Sequence, residues 1–342
     1  MTTIAPSMTL VGQLPYILTQ KGEIVISEIV KKKSILKNKD KPLFQRDVSS
    51  SALLCTFFFS LSLLLAYFAK YVLGFSSRST EFFGSVYLIS CVIEIFIIYF
   101  INKDYIFDRN ISREKMTGKA FCSGFSSMIT FMILATFGAI FVDVVLKQLG
   151  YTLISVAPAN TASDSITETL YTCLVGPICE EIIFRGYVQR KLEKYSPVVA
   201  VFTSAIFFAL YHGNFGQMFP MIGVGLVLGY MAYKYSIRMS MIMHVTYNTV
   251  FGELFGLLSD FLSKGGDDFK IPLIDMTPFS LVMSILSIIG VLVMANLYRK
   301  DKFPFKEYRI KLKNALYSFT SSGMMIFTTV AIVVSIILID KA

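Results

Sequence analysis

Two histidines, His212 and His244, are all the chain contains, and neither lies in a polar loop. Each falls inside or at the edge of an apolar run. So do Glu180, Glu181 and Arg185, within the stretch GPICEEIIFRGYV that begins at Gly176, and Asn248, four residues after His244. These residue types suit one reaction. A carboxylate beside an imidazole can hold and deprotonate a water, while a second imidazole and an amide N–H can stabilise an oxyanion growing on a carbonyl. Hydrolysis of an amide bond inside a membrane cavity needs those parts. Glu180, His212 and His244 could instead hold one zinc ion with a position open for water, activating the same nucleophile by Lewis acidity.

An ionised side chain at the centre of a bilayer costs about 2.5–3.5 kcal/mol on insertion scales, so Glu180, Glu181 and Arg185 must be paired, wet, or both. On a helix Glu181 and Arg185 stand at i and i+4 with the acid on the N-terminal side, the favourable order for an ion pair. Glu180 is turned about 100° away and has no such partner. One glutamate is therefore expected to be structural and the other free for chemistry. Phe208 precedes His212 by four residues and Asn248 follows His244 by four, so each pair shares a helix face. Lys70, Glu94 and Glu253 are the other charges in or near apolar runs. They are read as structural: Lys70 can snorkel, and Glu94 should pair or reach water.

The elements that must position these groups are membrane helices. Of the 342 residues 54% are hydrophobic and 16% charged, with mean hydropathy +0.63, and several apolar runs approach the 20 residues or so that cross a bilayer. A soluble domain of this length would carry more charge. The expected fold is an all-α polytopic bundle of eight or nine spans, near 52–75, 83–101, 120–146, 167–190, 197–213, 217–235, 239–258, 278–298 and 317–339. Residues 1–48 read as a basic cytoplasmic tail, 49–342 as a single transmembrane bundle, and about 165–255 as its catalytic core. Nothing in the first fifty residues has the form of a removable signal peptide.

The net charge of +9 would suggest a nucleic-acid partner in a soluble protein. Here lysine and arginine concentrate in the tail and in every second loop, at 102–119, 190–196, 234–238 and 298–314. That is the pattern of an N-terminus on the cytoplasmic side, and nucleic acid is not expected as a partner. Cys55, Cys91, Cys122, Cys173 and Cys179 read as small buried residues rather than disulfides or zinc ligands. Gly225 and Gly229 form a G-x-x-x-G that permits close helix packing.

With these residues in place the sequence resembles the CPBP family, also called the Abi or type II CAAX prenyl endopeptidase family of intramembrane proteases. The family's motifs E-E-x-x-x-R, F-x-x-x-H and H-x-x-x-[ND] appear in order as EEIIFR from Glu180, FALYH ending at His212 and HVTYN starting at His244. The resemblance implies Glu180 as base on a catalytic water, His212 assisting it, and His244 with Asn248 as oxyanion hole. It also implies supporting roles for Glu181, Arg185 and Phe208. No cofactor is expected, with Zn2+ on Glu180, His212 and His244 as the alternative. The implied substrate is a membrane-associated or lipidated protein or peptide. The Ile, Phe and Lys-rich composition favours a bacterial cell membrane, where such proteins are associated with bacteriocin immunity and peptide processing.

Two other readings fit the same charges. One is a proton-coupled transporter with a midplane relay. The other is a catalytically silent immunity or scaffold protein. Straight helices also raise a geometric difficulty. Counted from the cytoplasmic ends at about 1.5 Å per residue, Glu180, His212 and His244 lie at unequal depths, so strong tilt, a fifth span that begins below the surface, or a broken helix near Pro177 or Gly213 is required.

Overall fold

The computed structural model describes residues 40–74, 80–106, 114–115, 117–153, 165–254, 292, 316–337 and 339–341. Nearly all of them are helical. The helices are α1 (Lys41–Tyr71), α2 (Thr80–Ile106), α3 (Gly118–Gln148), α4 (166–193), α5 (Pro197–Tyr211), α6 (Phe215–Lys234), α7 (Ile237–Tyr247, continuing as a π turn over Asn248–Leu254) and α8 (Ser322–Ile337). A short antiparallel pair, β1 (Tyr151–Leu153) with β2 (Ile339–Lys341), aligns Thr152 with Asp340. The expected span 278–298, apart from residue 292, and most of the tail lie outside the described residues. The first helix begins inside the segment read as tail: Phe44 and Val48 are buried, and Asp47 accepts from Tyr195 Oη at 2.7 Å and pairs with Lys194 Nζ at 2.9 Å.

Among the described residues, Lys41–Tyr71, Gly84–Ile101 and Phe215–Lys234 are long and apolar enough to cross a membrane. Gly118–Leu134, Pro197–Tyr211 and Ser322–Ile337 are shorter apolar helices. Large apolar side chains such as Leu64, Tyr67, Val92, Phe96 and Phe100 stand exposed along α1 and α2. In water such a surface would drive association; against acyl chains it is the ordinary outer face of a membrane protein.

The helices that carry the motif residues start where the sequence provides a cap. Ser165 Oγ accepts from Glu168 N at 3.1 Å, Ser196 Oγ from Val199 N at 3.4 Å, and Ser236 Oγ from Met239 N at 3.2 Å. Each hydroxyl satisfies a backbone N–H that would otherwise be left unpaired. Within α4, two π turns, Tyr171–Val175 and Ile182–Gln189, flank the α-helical Gly176–Glu181. Such widened turns swing side chains around the helix axis and recur at functional sites.

The fifth expected span, 197–213, is a short apolar helix. α5 has 15 residues, about 22 Å against a hydrocarbon core of about 30 Å, and it ends at His212. Gly213, at φ +58°, then reverses the chain, and Asn214 Oδ1 caps α6 by accepting from Gly216 N at 2.9 Å. α5 and α6 form a hairpin with His212 at its apex. His212 therefore sits in the turn between the two helices, at the break expected near Gly213. Gly225 and Gly229 are what let the hairpin close. A Cβ on Gly225 would stand 3.0 Å from Ala205 Cα, and one on Gly229 would stand 3.1 Å from Val201 Cγ1 on α5 and 2.9 Å from Gln189 Oε1 on α4. The G-x-x-x-G therefore packs within the chain.

A side chain at position 213 would be strained by its left-handed backbone and would meet the Phe59 ring at 2.6 Å. Gly213→Ala is expected to lose about 1–3 kcal/mol, read as a lower melting temperature in detergent micelles. An unchanged melting temperature would refute the turn geometry.

Candidate active site

The three motif segments converge. Glu181, with an exposure of 0%, is shared three ways: Oε1 lies 3.0 Å from Arg185 Nη1 and 3.0 Å from His244 Nδ1, and Oε2 accepts a very short hydrogen bond from Ser240 Oγ. Arg185, itself 1% exposed, also donates Nη2 to Gly225 O at 3.3 Å, and its guanidinium carbon stands 4.4 Å from the Phe208 ring centroid. The i, i+4 pair expected from sequence is present, and it reaches well beyond its own helix.

Glu180 points differently. Its side chain retains 19% exposure, and Oε2 stands 3.7 Å from His244 Nε2, too long for a direct hydrogen bond. His244 thus lies between the two glutamates, Nδ1 toward Glu181 and Nε2 toward Glu180. On the other side, Phe208 separates the two imidazoles, with ring centroids 4.9 Å from His212 and 5.6 Å from His244, both edge-on. His212 Nδ1 lies 2.8 Å from Phe208 O. A carbonyl oxygen can only accept, so that contact puts the proton on Nδ1 and leaves Nε2 with a free lone pair. Asn248 donates Nδ2 to Thr172 O at 2.9 Å. This fixes the amide against α4 and leaves its second N–H uncommitted by that bond.

Ser240 and Thr172 are partners the sequence reading did not identify. Ser240 was findable, since it precedes His244 by four residues and so shares its helix face. Thr172 contributes only a backbone carbonyl, and no residue type signals that. Of the charges read as structural, Lys70 lies with Nζ 4.9 Å from the Tyr71 ring, and Glu253 accepts from Thr172 Oγ1 at 3.4 Å. Glu94 is buried among hydroxyls and a thiol. Cys55, Cys91, Cys173 and Cys179 are buried and Cys122 is exposed.

The donors suited to zinc are distributed unevenly. Glu180, His212 and His244 are the right residue types, but their ligand atoms do not all lie within 4.8 Å of one another. Among the described residues, the three such side chains whose ligand atoms all lie within 4.8 Å of one another are Cys91, Glu94 and Cys179. No step is therefore routed through an ion at the motif residues.

These features define a helical membrane protein in which ionisable motif residues of α4, the hairpin apex and α7 meet. In the comparison with family models, residues 162–250 match the family described as Type II CAAX prenyl endopeptidase Rce1-like. That segment holds all three motifs. Neither the curated proteins nor the solved structures yielded a match.

The two glutamates separate by experiment. Arg185→Met leaves the Glu181 carboxylate buried and unpaired and is expected to cost about 3–5 kcal/mol of stability. Glu180→Gln should stay within about 1 kcal/mol of wild type. Both are measured by denaturation in micelles, and equal losses in the two variants would end the division of roles.

Proposed function

We propose that the chain is an intramembrane endopeptidase that hydrolyses a peptide bond through a water activated by Glu180. The observation that carries this reading is the contrast between neighbouring carboxylates, Glu181 held by three partners and Glu180 standing 3.7 Å from His244 Nε2 and still partly exposed. The family match at residues 162–250 supports the reaction class.

In this mechanism Glu180 takes a proton from the attacking water. His212, presenting Nε2 because Nδ1 is occupied by Phe208 O, orients that water by accepting from its other hydrogen. As the scissile carbonyl becomes tetrahedral, its oxygen takes hydrogen bonds from the uncommitted N–H of Asn248 and from Nε2–H of His244, a step that uses the ring protonated on both nitrogens because Nδ1–H is given to Glu181. Glu180 then passes its proton to the leaving amine, so the water's two hydrogens and its oxygen end as a new amine and a new carboxyl group. Glu181, Arg185 and Ser240 hold His244 in place, and Phe208 spaces the two imidazoles. No metal is required in this scheme. The substrate is a membrane-associated or lipidated protein or peptide that enters from the bilayer. A bacterial cell membrane with the N-terminus in the cytoplasm is the setting proposed for it, with bacteriocin immunity or peptide processing as its use.

For purified protein in detergent, Glu180→Gln should lower the cleavage rate by about 10²–10⁴ and Asn248→Ala by about 10²–10³. Full turnover by Glu180→Gln would end the proposal. A chelator should leave the wild-type rate unchanged, whereas a loss that added zinc restores would transfer the water activation to a metal. Comparative membrane proteomics of cells carrying wild type or Glu180→Gln should reveal the uncut substrate.

A further inference from the structure

A second buried carboxylate belongs to none of the three motifs. Glu94 on α2 is 3% exposed, and every partner it has among the described residues is a neutral donor. Oε1 accepts from Ser90 Oγ at 2.8 Å, Tyr211 Oη at 3.0 Å and Ser62 Oγ at 3.3 Å, while Oε2 accepts from Cys179 Sγ at 3.4 Å. Two of these donors stand at revealing positions. Cys179 immediately precedes Glu180, and Tyr211 immediately precedes His212.

We propose that Glu94 is a positioning residue, a clamp on α2 that holds the turn bearing Glu180 and the hairpin apex bearing His212 in fixed relation. The role rests on the peptidase reading for its effect on rate, though not for its existence as a clamp. The physical case is one of alternatives. In an apolar interior a carboxylate without its donors costs several kcal/mol, so α2 cannot release either segment cheaply. The phenol is steered as well as bonded, since the Tyr211 ring packs edge-on against Phe184 at 5.3 Å and Phe59 at 5.9 Å. The single hydrogen of the thiol is shared between Glu94 Oε2 and Cys91 O at 3.7 Å, and both acceptors lie on α2. Displacing either segment would separate Glu180 from the water that His212 must share, and misplacement by about 1 Å can cost about 10²-fold in rate.

The test uses the full chain in detergent with Glu94→Gln, Tyr211→Phe and the double variant, followed by amide hydrogen exchange, melting temperature, and kcat and KM per folded molecule. Glu94→Gln should speed exchange at both 176–182 and 208–213, and Tyr211→Phe at 208–213 alone. In Glu94→Gln kcat should fall about 10- to 100-fold with KM within about twofold of wild type. The double variant should be no worse than Glu94→Gln, because the two act through one contact. Unchanged exchange at either segment in Glu94→Gln, or losses that add in the double variant, would overturn the clamp. So would faster exchange and a lower melting temperature with kcat intact, which is the behaviour of a residue that merely stabilises. One zinc per chain that survives Glu180→Gln but not Cys179→Ser would overturn it in favour of a metal site at Cys91, Glu94 and Cys179. Wild-type protein without Glu180-dependent cleavage would remove the peptidase reading, and the exchange pattern alone would then decide the clamp.

Discussion

The structure around the site depends on one constraint: a carboxylate sealed from water in a low-dielectric interior must be surrounded by donors. Glu181 meets that demand with Arg185 from its own helix and with His244 and Ser240 from α7. Because all three contacts converge on one side chain, α4 and α7 have a single register in which the charge is tolerated. The same contacts turn the imidazole of His244 so that its other nitrogen faces Glu180. Satisfying a buried charge and aiming a reactive group are here one event.

The hairpin obeys a related constraint on the backbone. Ending a helix inside a membrane exposes carbonyl and amide groups that lipid cannot satisfy. The chain meets this at 212–216 with a tight reversal: His212 N and Gly213 N bond back to Ala209 O and Leu210 O, and Asn214 caps the next helix. His212 also directs its side chain to the carbonyl of Phe208. The apex is therefore held by polar contacts of its own, in addition to the packing that Gly225 permits between α5 and α6.

Much of this was legible from residue types and spacing. Charges in apolar runs marked the cluster, the i, i+4 spacing of Glu181 and Arg185 predicted their ion pair, and the family resemblance fell within the segment that matches the family model. What escaped the sequence has a common physical character. Thr172 acts through its carbonyl, and the π turns of α4 arise from packing rather than from any one residue. The short length of α5 was masked because apolar composition continues through the turn into α6; only Gly213 marked the break. Glu94 was read as a charge that pairs or meets water, whereas it is surrounded by hydroxyls and a thiol, ordinary helix residues whose convergence no linear spacing announces. The number of spans expected, eight or nine, rests partly on residues outside those described.

The small strand pair has a bearing on sidedness. The antiparallel pairing sets Tyr151 opposite Lys341 and Thr152 opposite Asp340, so the exits of α3 and α8 emerge together. Whichever way the molecule is inserted, those two exits open onto one compartment. The pairing also fastens a helix early in the chain to the last one described, giving the bundle a seam on that face at a distance in sequence from every residue of the catalytic motifs.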